Sequence, residues 1–307
     1  MAFGVRKIGL DTLEAVQNKE PSPTAGGGKG GGGAVRGVAE IGFAVREGAT
    51  RLAHLYQHDP LRVLFPSAEP DEPPVAVIVT TSGGLVAGDH LSITVRLEPG
   101  AAAHVMASAA EKIYRSTGAT TRIEQSLSVE SGAWLELLPP ETILFDGARL
   151  RRHTRLALKP DAGFLGGGIV VFGRRARGEG FTRGLLHEHW EVWQGGALVW
   201  GDALHLDGDI AAIIADPACF GAAAAYATLL LVPRDGDVRR FVDRARAVQQ
   251  RSAGDGLRGG VTAVNGLLVA RWLAAEPLPL RRAYADLACH LRAAAMGLPP
   301  RLPRLWD

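Results

Sequence analysis

With 307 residues, the chain is long enough for one large domain or two ordinary ones and can bury a substantial core. A formal net charge of +2 supplies no long-range field to draw in nucleic acid or anionic lipid, and no uninterrupted apolar run is long enough to span a bilayer. Cys219 and Cys289 stand far apart and outside any CxxC pair, which excludes a disulfide framework; with no basic-then-apolar leader at the start, a reducing, cytoplasmic setting is expected.

Residues 1–36 carry little core-forming pattern, and their glycine run, Gly26 to Gly33, is broken only by Lys29. Such a run has much backbone entropy to lose and no side chains to bury, so a flexible tail is expected. Gly30 follows Lys29 where a phosphate-binding loop needs Ser or Thr, so Lys29 reads as a linker lysine.

Residues 37–307 read as a single β-rich domain. Ile41, Phe43 and Val45 fall on one face at period two, and 50–56 is extended again. Residues 75–80 form a continuous apolar, β-branched run, the mark of a strand buried on both faces. Alternation continues through 91–97, 104–107, 120–129 and 134–138, with turns at 98–100 and 130–132. The rhythm persists through 152–158, 164–171, 185–193 and 198–206. Strand–turn units at about ten-residue spacing predict a mainly β fold of many short strands in stacked or packed sheets.

The C-terminal part, about 233–307, is expected to hold two helices. In 238–250, Val238, Phe241, Val242, Ala245 and Val248 have helical spacing after a possible Asp237 cap. In 281–296, Tyr284, Leu287, Ala288, Leu291 and Ala295 form one stripe that Gly297 stops. Residues 261–273 read as one strand between them.

Five blocks carry chemistry worth weighing. In the first, 80–89, glycines at Gly83 and Gly88 copy the start of a P-loop, but Asp89 would repel phosphate, leaving a glycine turn or a loop that holds Asp89 for a partner or an ion. The second, Glu111 to Ser116, sets Tyr114 and Arg115 among mixed charges: a solvated loop, or a recognition surface built on the side chains that dominate interfaces. In the third, 138–150, Pro139 and Pro140 predict an edge or crossing segment. Its Glu141 and Asp146 are the two acids that a β-rich carbohydrate hydrolase would use, although a turn at Asp146-Gly147 explains the aspartate equally.

The fourth, 173–181, clusters Arg174, Arg175 and Arg177 around Glu179 without interleaved aromatics. It fits an acidic protein partner or internal pairing better than nucleic acid. In the fifth, His187, His189 and Glu191 share a strand face opposite Trp190 and Val192. They are either a polar outer face or transient ligands for a divalent metal such as nickel or zinc.

Taken in order, Gly48 to Leu52, Pro60-Leu61-Arg62-Val63-Leu64-Phe65-Pro66, Ser82 to Asp89, Glu111 to Ser116, Leu138 to Leu150, Gly173 to Phe181 and Leu302-Pro303-Arg304-Leu305-Trp306 resemble the urease accessory protein family UreD, called UreH in some organisms. The blocks cover nearly all of the chain after the glycine tail. Ala87 stands where the family usually has glycine, and Pro140 where it usually has glutamine.

The resemblance implies a mostly β fold with a few helices and a scaffold with no active site of its own. It implies binding to apo-urease, recruitment of a UreF-type protein and the GTPase UreG, and nickel insertion with GTP hydrolysed by that partner and nickel supplied by UreE. It implies no tightly bound cofactor, Ni2+ at most in transit, and neither nucleic acid nor membrane as partner. An internal nickel passage has been proposed for the family. Asp89, Glu111, Glu141, Asp146 and Glu179 are the expected carboxylates of such a passage or of a partner surface, together with Tyr114, Arg115 and Arg174.

Overall fold

In the computed structural model, the described residues are 34–306, except Ala68, Ala253 and Asp255. The expected tail therefore lies outside the described residues, save its last three. Alternating apolar positions build strands β1 (Arg36–Arg46), β2 (Ala49–His58), β3 (Leu61–Leu64), β4 (Val75–Thr80), β5 (His90–Leu97) and β6 (Ala102–Ala107). They continue with β7 (Glu111–Ile113), β8 (Thr121–Val129), β9 (Trp134–Leu137), β10 (Thr142–Leu144), β11 (Arg149–Leu158) and β12 (Gly163–Phe172). Strands β13 (Leu185–Gln194), β14 (Ala197–Asp207) and β15 (Ala225–Val232) follow, with helix α1 (Ile210–Ala215) between the last two. Helix α2 (Arg239–Ser252), β16 (Leu257–Val264), β17 (Leu267–Ala274) and helix α3 (Pro277–Met296) complete the order.

The strands form a seven-strand sheet, β14-β13-β11-β8-β5-β1-β2, and a ten-strand sheet, β16-β17-β15-β12-β9-β6-β4-β3, with β10 and β7 attached to the latter through β12. Between β4 and β13 the chain passes back and forth between the sheets, so each long strand pairs in parallel with its counterpart from the previous coil. The turns at 98–100 and 130–132 are thus corners between sheets, not hairpins. They stack, with Gly100 N–H donating to Ser131 O at 2.9 Å and Gly163 N–H to Ala133 O at 2.9 Å. Gly167 in β12 meets the neighbouring strand so closely that a Cβ would lie 1.9 Å from Thr228 O, which no larger residue tolerates.

The central strands of the ten-strand sheet are buried on both faces. In β4, Ala76 and Ile78 join the core between the sheets, while Val77 joins the core beneath the helices. The stripe Tyr284, Leu287, Ala288 and Leu291 of α3 is fully buried on that second core. Helix α3 starts at Pro277, before the expected 281, because proline is well suited to a first turn where its missing N–H has no partner to lose. No helix among the described residues is long and apolar enough to cross a membrane.

One expectation is corrected, one choice is decided, and one element is new. Residues 261–273 are not one strand: Asn265 (φ 48°) and Gly266 (φ 85°) form the left-handed turn of the β16–β17 hairpin, for which Asn-Gly is the favoured pair. Of the two forms expected for 138–150, an edge or a crossing segment, it is the crossing: the stretch leads from β9 in one sheet to β11 in the other, and its β10 pairs in parallel with both β7 and β12. Short α1 was not expected; Asp209 caps it, accepting from Ala212 N–H at 3.1 Å.

One buried charge network ties α3 to the sheet. Arg292, 1% exposed, donates to both oxygens of Glu136 in β9 at 3.1 Å and to Glu72 at 2.6 and 3.1 Å. It also donates to the carbonyls of Pro299 and Arg301 at 2.8 and 2.6 Å. His104 Nδ1–H donates to Glu136 at 2.8 Å and Trp134 Nε1–H at 3.2 Å. Burial opposes ionisation of Glu136, but His104 and Arg292 outweigh it and hold the carboxyl at about 2.

Two outcomes are expected. Arg292→Met removes the guanidinium that two carboxylates share and should lower stability by about 3–5 kcal/mol in urea titration; a loss within error would remove the network from the fold's energetics. The depressed Glu136 group contributes stability that is complete above about 4.5 and lost as pH falls towards about 2. In acid melts, Glu136→Gln should flatten that limb, and an unchanged slope would contradict the assignment.

Candidate functional site

The coil corners next to β7 and β10 stack loop upon loop. Leu85 N–H donates to Lys112 O at 2.8 Å, Tyr114 N–H to Leu85 O at 2.9 Å, Phe145 N–H to Ile113 O at 3.0 Å, and Gly173 N–H to Leu144 O at 2.9 Å. Blocks separate in sequence are thereby brought to one rim. Tyr114 packs edge-on against Phe145, with centroids 4.9 Å apart, and its hydroxyl donates to Gly83 O at 3.0 Å. Gly84 must be glycine for this, since a Cβ would stand 2.6 Å from the Tyr114 ring. The Arg174 guanidinium lies 4.4 Å from the Phe145 centroid, a cation–π contact.

Charges fix the same rim. Arg174 pairs with Glu179, which also accepts Asp146 N–H at 3.1 Å; the Arg174 hydrogen bond leads the causes that lower the Glu179 carboxyl below its ordinary range. Asp146 accepts from Thr182 Oγ1–H at 2.7 Å and Thr182 N–H at 2.9 Å, and it faces Arg183 at 3.5 Å and Arg115 at 3.8 Å. Partial burial raises its carboxyl, but these hydrogen bonds and Arg183 outweigh that and leave it below the usual range. Of the expected residues, Tyr114, Arg115, Asp146, Arg174 and Glu179 therefore meet in one place. Tyr114, Phe145 and Arg174 are half-buried, and Arg115, Arg175 and Arg177 are exposed.

Glu111 lies elsewhere, in a cavity of about 70 Å³ between the sheets, lined also by Gln125, Thr142, Arg152 and Glu188. Burial raises the Glu111 carboxyl, only partly offset by Thr80, whose hydroxyl donates to it at 2.6 Å. Arg152 donates to Glu188 Oε1 at 2.7 and 3.2 Å and to Thr142 Oγ1 at 2.8 Å. Glu188 Oε2 finds no hydrogen-bond partner among the described residues. Neither Arg152 nor Glu188 is among the expected site residues. The signal was present: Glu188 shares its strand face with buried Leu186, Trp190 and Val192.

The remaining candidates are dispersed. Asp89, 1% exposed, accepts Val35 N–H at 3.0 Å and Val86 N–H at 2.8 Å, so its carboxylate closes a turn. Glu141 pairs with Arg281 at 3.5 Å, and Arg281 also donates to Trp306 O at 2.7 Å. Glu141 and Asp146 thus have separate partners, which does not favour the hydrolase. His189 and Glu191 are joined by His153 of β11; His187 is instead in contact with Arg151 at 3.2 Å.

The sequence model of the UreD urease accessory protein family matches residues 35–307. The urease accessory protein UreD of Magnetococcus marinus is 44% identical over 273 residues, covering 89% of this chain and 94% of that protein. Its namesake in Azorhizobium caulinodans is 41% identical, covering 88% and 95%, and that of Rhodopseudomonas palustris 38%, covering 88% and 91%. With the mainly β architecture and the ordered blocks, these matches show that the chain belongs to the UreD family of urease accessory proteins.

Proposed function

We propose that this accessory protein is a non-enzymatic scaffold that holds apo-urease, acts with a UreF-type protein and a UreG-type GTPase in the cytoplasm, and serves nickel insertion while the GTPase hydrolyses GTP. The observation that carries the reading is the rim, where Tyr114 edge-on and Arg174 by a cation–π contact pack against Phe145, preorganised and partly open to solvent. Tyr and Arg anchors held rigid before contact lose little entropy on binding, the condition for an interface hot spot. The thiols of Cys219 and Cys289 are both free, in keeping with a reducing compartment.

The inter-sheet cavity supports a transient nickel role. Glu111 and the unpartnered Glu188 oxygen offer hard donors at a cost that a passing divalent cation offsets, and Arg152 keeps the site from trapping one.

Tyr114→Ala and Arg174→Ala should each weaken binding to apo-urease, alone or with the UreF-type protein, by at least about tenfold while melting stays within a few degrees. Wild-type affinity in both variants, read by surface plasmon resonance, would remove the rim from the interface. Glu111→Gln combined with Glu188→Gln should keep partner binding but lower nickel-dependent urease activation in cells. Full activation would dismiss the cavity as a nickel route.

A further inference from the structure

The outer face of the seven-strand sheet presents a second set of donors. Strands β11 and β13 run parallel with His153 directly opposite His189, and period two puts Glu191 on the same face. The two imidazoles lie nearly parallel, with centroids 4.8 Å apart and planes 9° apart. Glu191 Oε1 stands 3.5 Å from His153 Nε2 and 4.0 Å from His189 Nε2. Two ligands each about 2 Å from a tetrahedral ion stand roughly 3.3 Å apart. The three ligand atoms lie within 4.8 Å of one another, and rotation of these rings, 46% and 36% exposed, would bring them to that tetrahedral spacing.

An independent feature aims the carboxylate. Trp193 Nε1–H donates to Glu191 Oε2 at 2.9 Å, which leaves Oε1 turned to the imidazoles. Arg155, the cross-strand neighbour of Glu191, places its guanidinium over the Trp193 ring, 5.1 Å from the centroid. Such an outer hydrogen bond is what orients ligands in metal sites. His187 does not belong to the set: arginine only donates, so the Arg151 guanidinium 3.2 Å from Nδ1 occupies that nitrogen and sets a positive charge beside it.

We propose that His153, His189 and Glu191 form a surface site for a divalent transition-metal ion of the zinc or nickel type, with Trp193 as its positioning residue. Two imidazoles and one carboxylate suit such borderline ions and leave coordination open for water or a donor from another molecule. The site is separate from the rim and the cavity, and it stands whether or not either serves urease.

Isothermal titration of the full chain with ZnCl2, and separately with NiCl2, tests it. One saturable equivalent is expected, weakened at least tenfold in His153→Gln, His189→Gln and Glu191→Gln, and kept in His187→Gln. Trp193→Phe should weaken binding about tenfold with the stoichiometry unchanged. Without any substitution, saturating zinc should protect His153 and His189 from carbethoxylation by diethyl pyrocarbonate. No saturable binding, unchanged affinity in the first three variants, loss in His187→Gln, or equal modification with and without zinc would each overturn the site.

Discussion

Arg292 sits where the two halves of the molecule must agree. Its guanidinium meets Glu136 of the parallel coil stack, Glu72 of the segment before β4, and the carbonyls that follow α3. A buried arginine with so many partners is tolerated only when all are present together, since each unpaired charge left inside costs several kcal/mol. The helix, the coil stack and the C-terminal segment are thus set in one geometry. Trp306 follows from it, stacking on Tyr284 at 5.7 Å and donating to Leu138 O at 2.9 Å. Through Arg281 the same segment reaches Glu141, so blocks at 138–150 and 302–306 are one packing unit.

The coil stack explains the rim. Each passage between the sheets contributes one loop, and backbone hydrogen bonds fix each loop on the last. Residues sixty positions apart, such as Tyr114 and Arg174, are therefore both held against Phe145 by main-chain geometry. Gly84 and Gly173 permit that closeness: at Gly173, φ is 94° and a Cβ would stand 2.2 Å from Glu179 O. The rim belongs to the regular part of the fold, tied by loop-to-loop backbone hydrogen bonds, and such preorganised presentation reduces the entropy lost on binding.

Much of this was readable from the residues and some was not. Period two marked the strands, and the stripe of Tyr284, Leu287, Ala288 and Leu291 marked α3, because alternation and helical spacing are local consequences of burial. Parallel pairing was hidden: a corner between sheets and a hairpin turn use the same glycines, and only long-range register tells them apart. For that reason local spacing does not point to His153, whose partner His189 is thirty-six positions away. Asp89 and Glu141 drew attention as acids, yet backbone N–H groups occupy the first and Arg281 the second, relations that no spacing encodes. Glu188 could have been found, as an acid in phase with Leu186, Trp190 and Val192.

Hydrogen–deuterium exchange of the chain, free and mixed with apo-urease and the UreF-type protein, tests the holding role most directly. Protection should gather at 82–86, 111–116, 144–148 and 173–183, the loops that carry Tyr114, Phe145 and Arg174. Protection confined to the α2 and α3 surface, or no change on mixing, would contradict the rim as the surface that holds the partner.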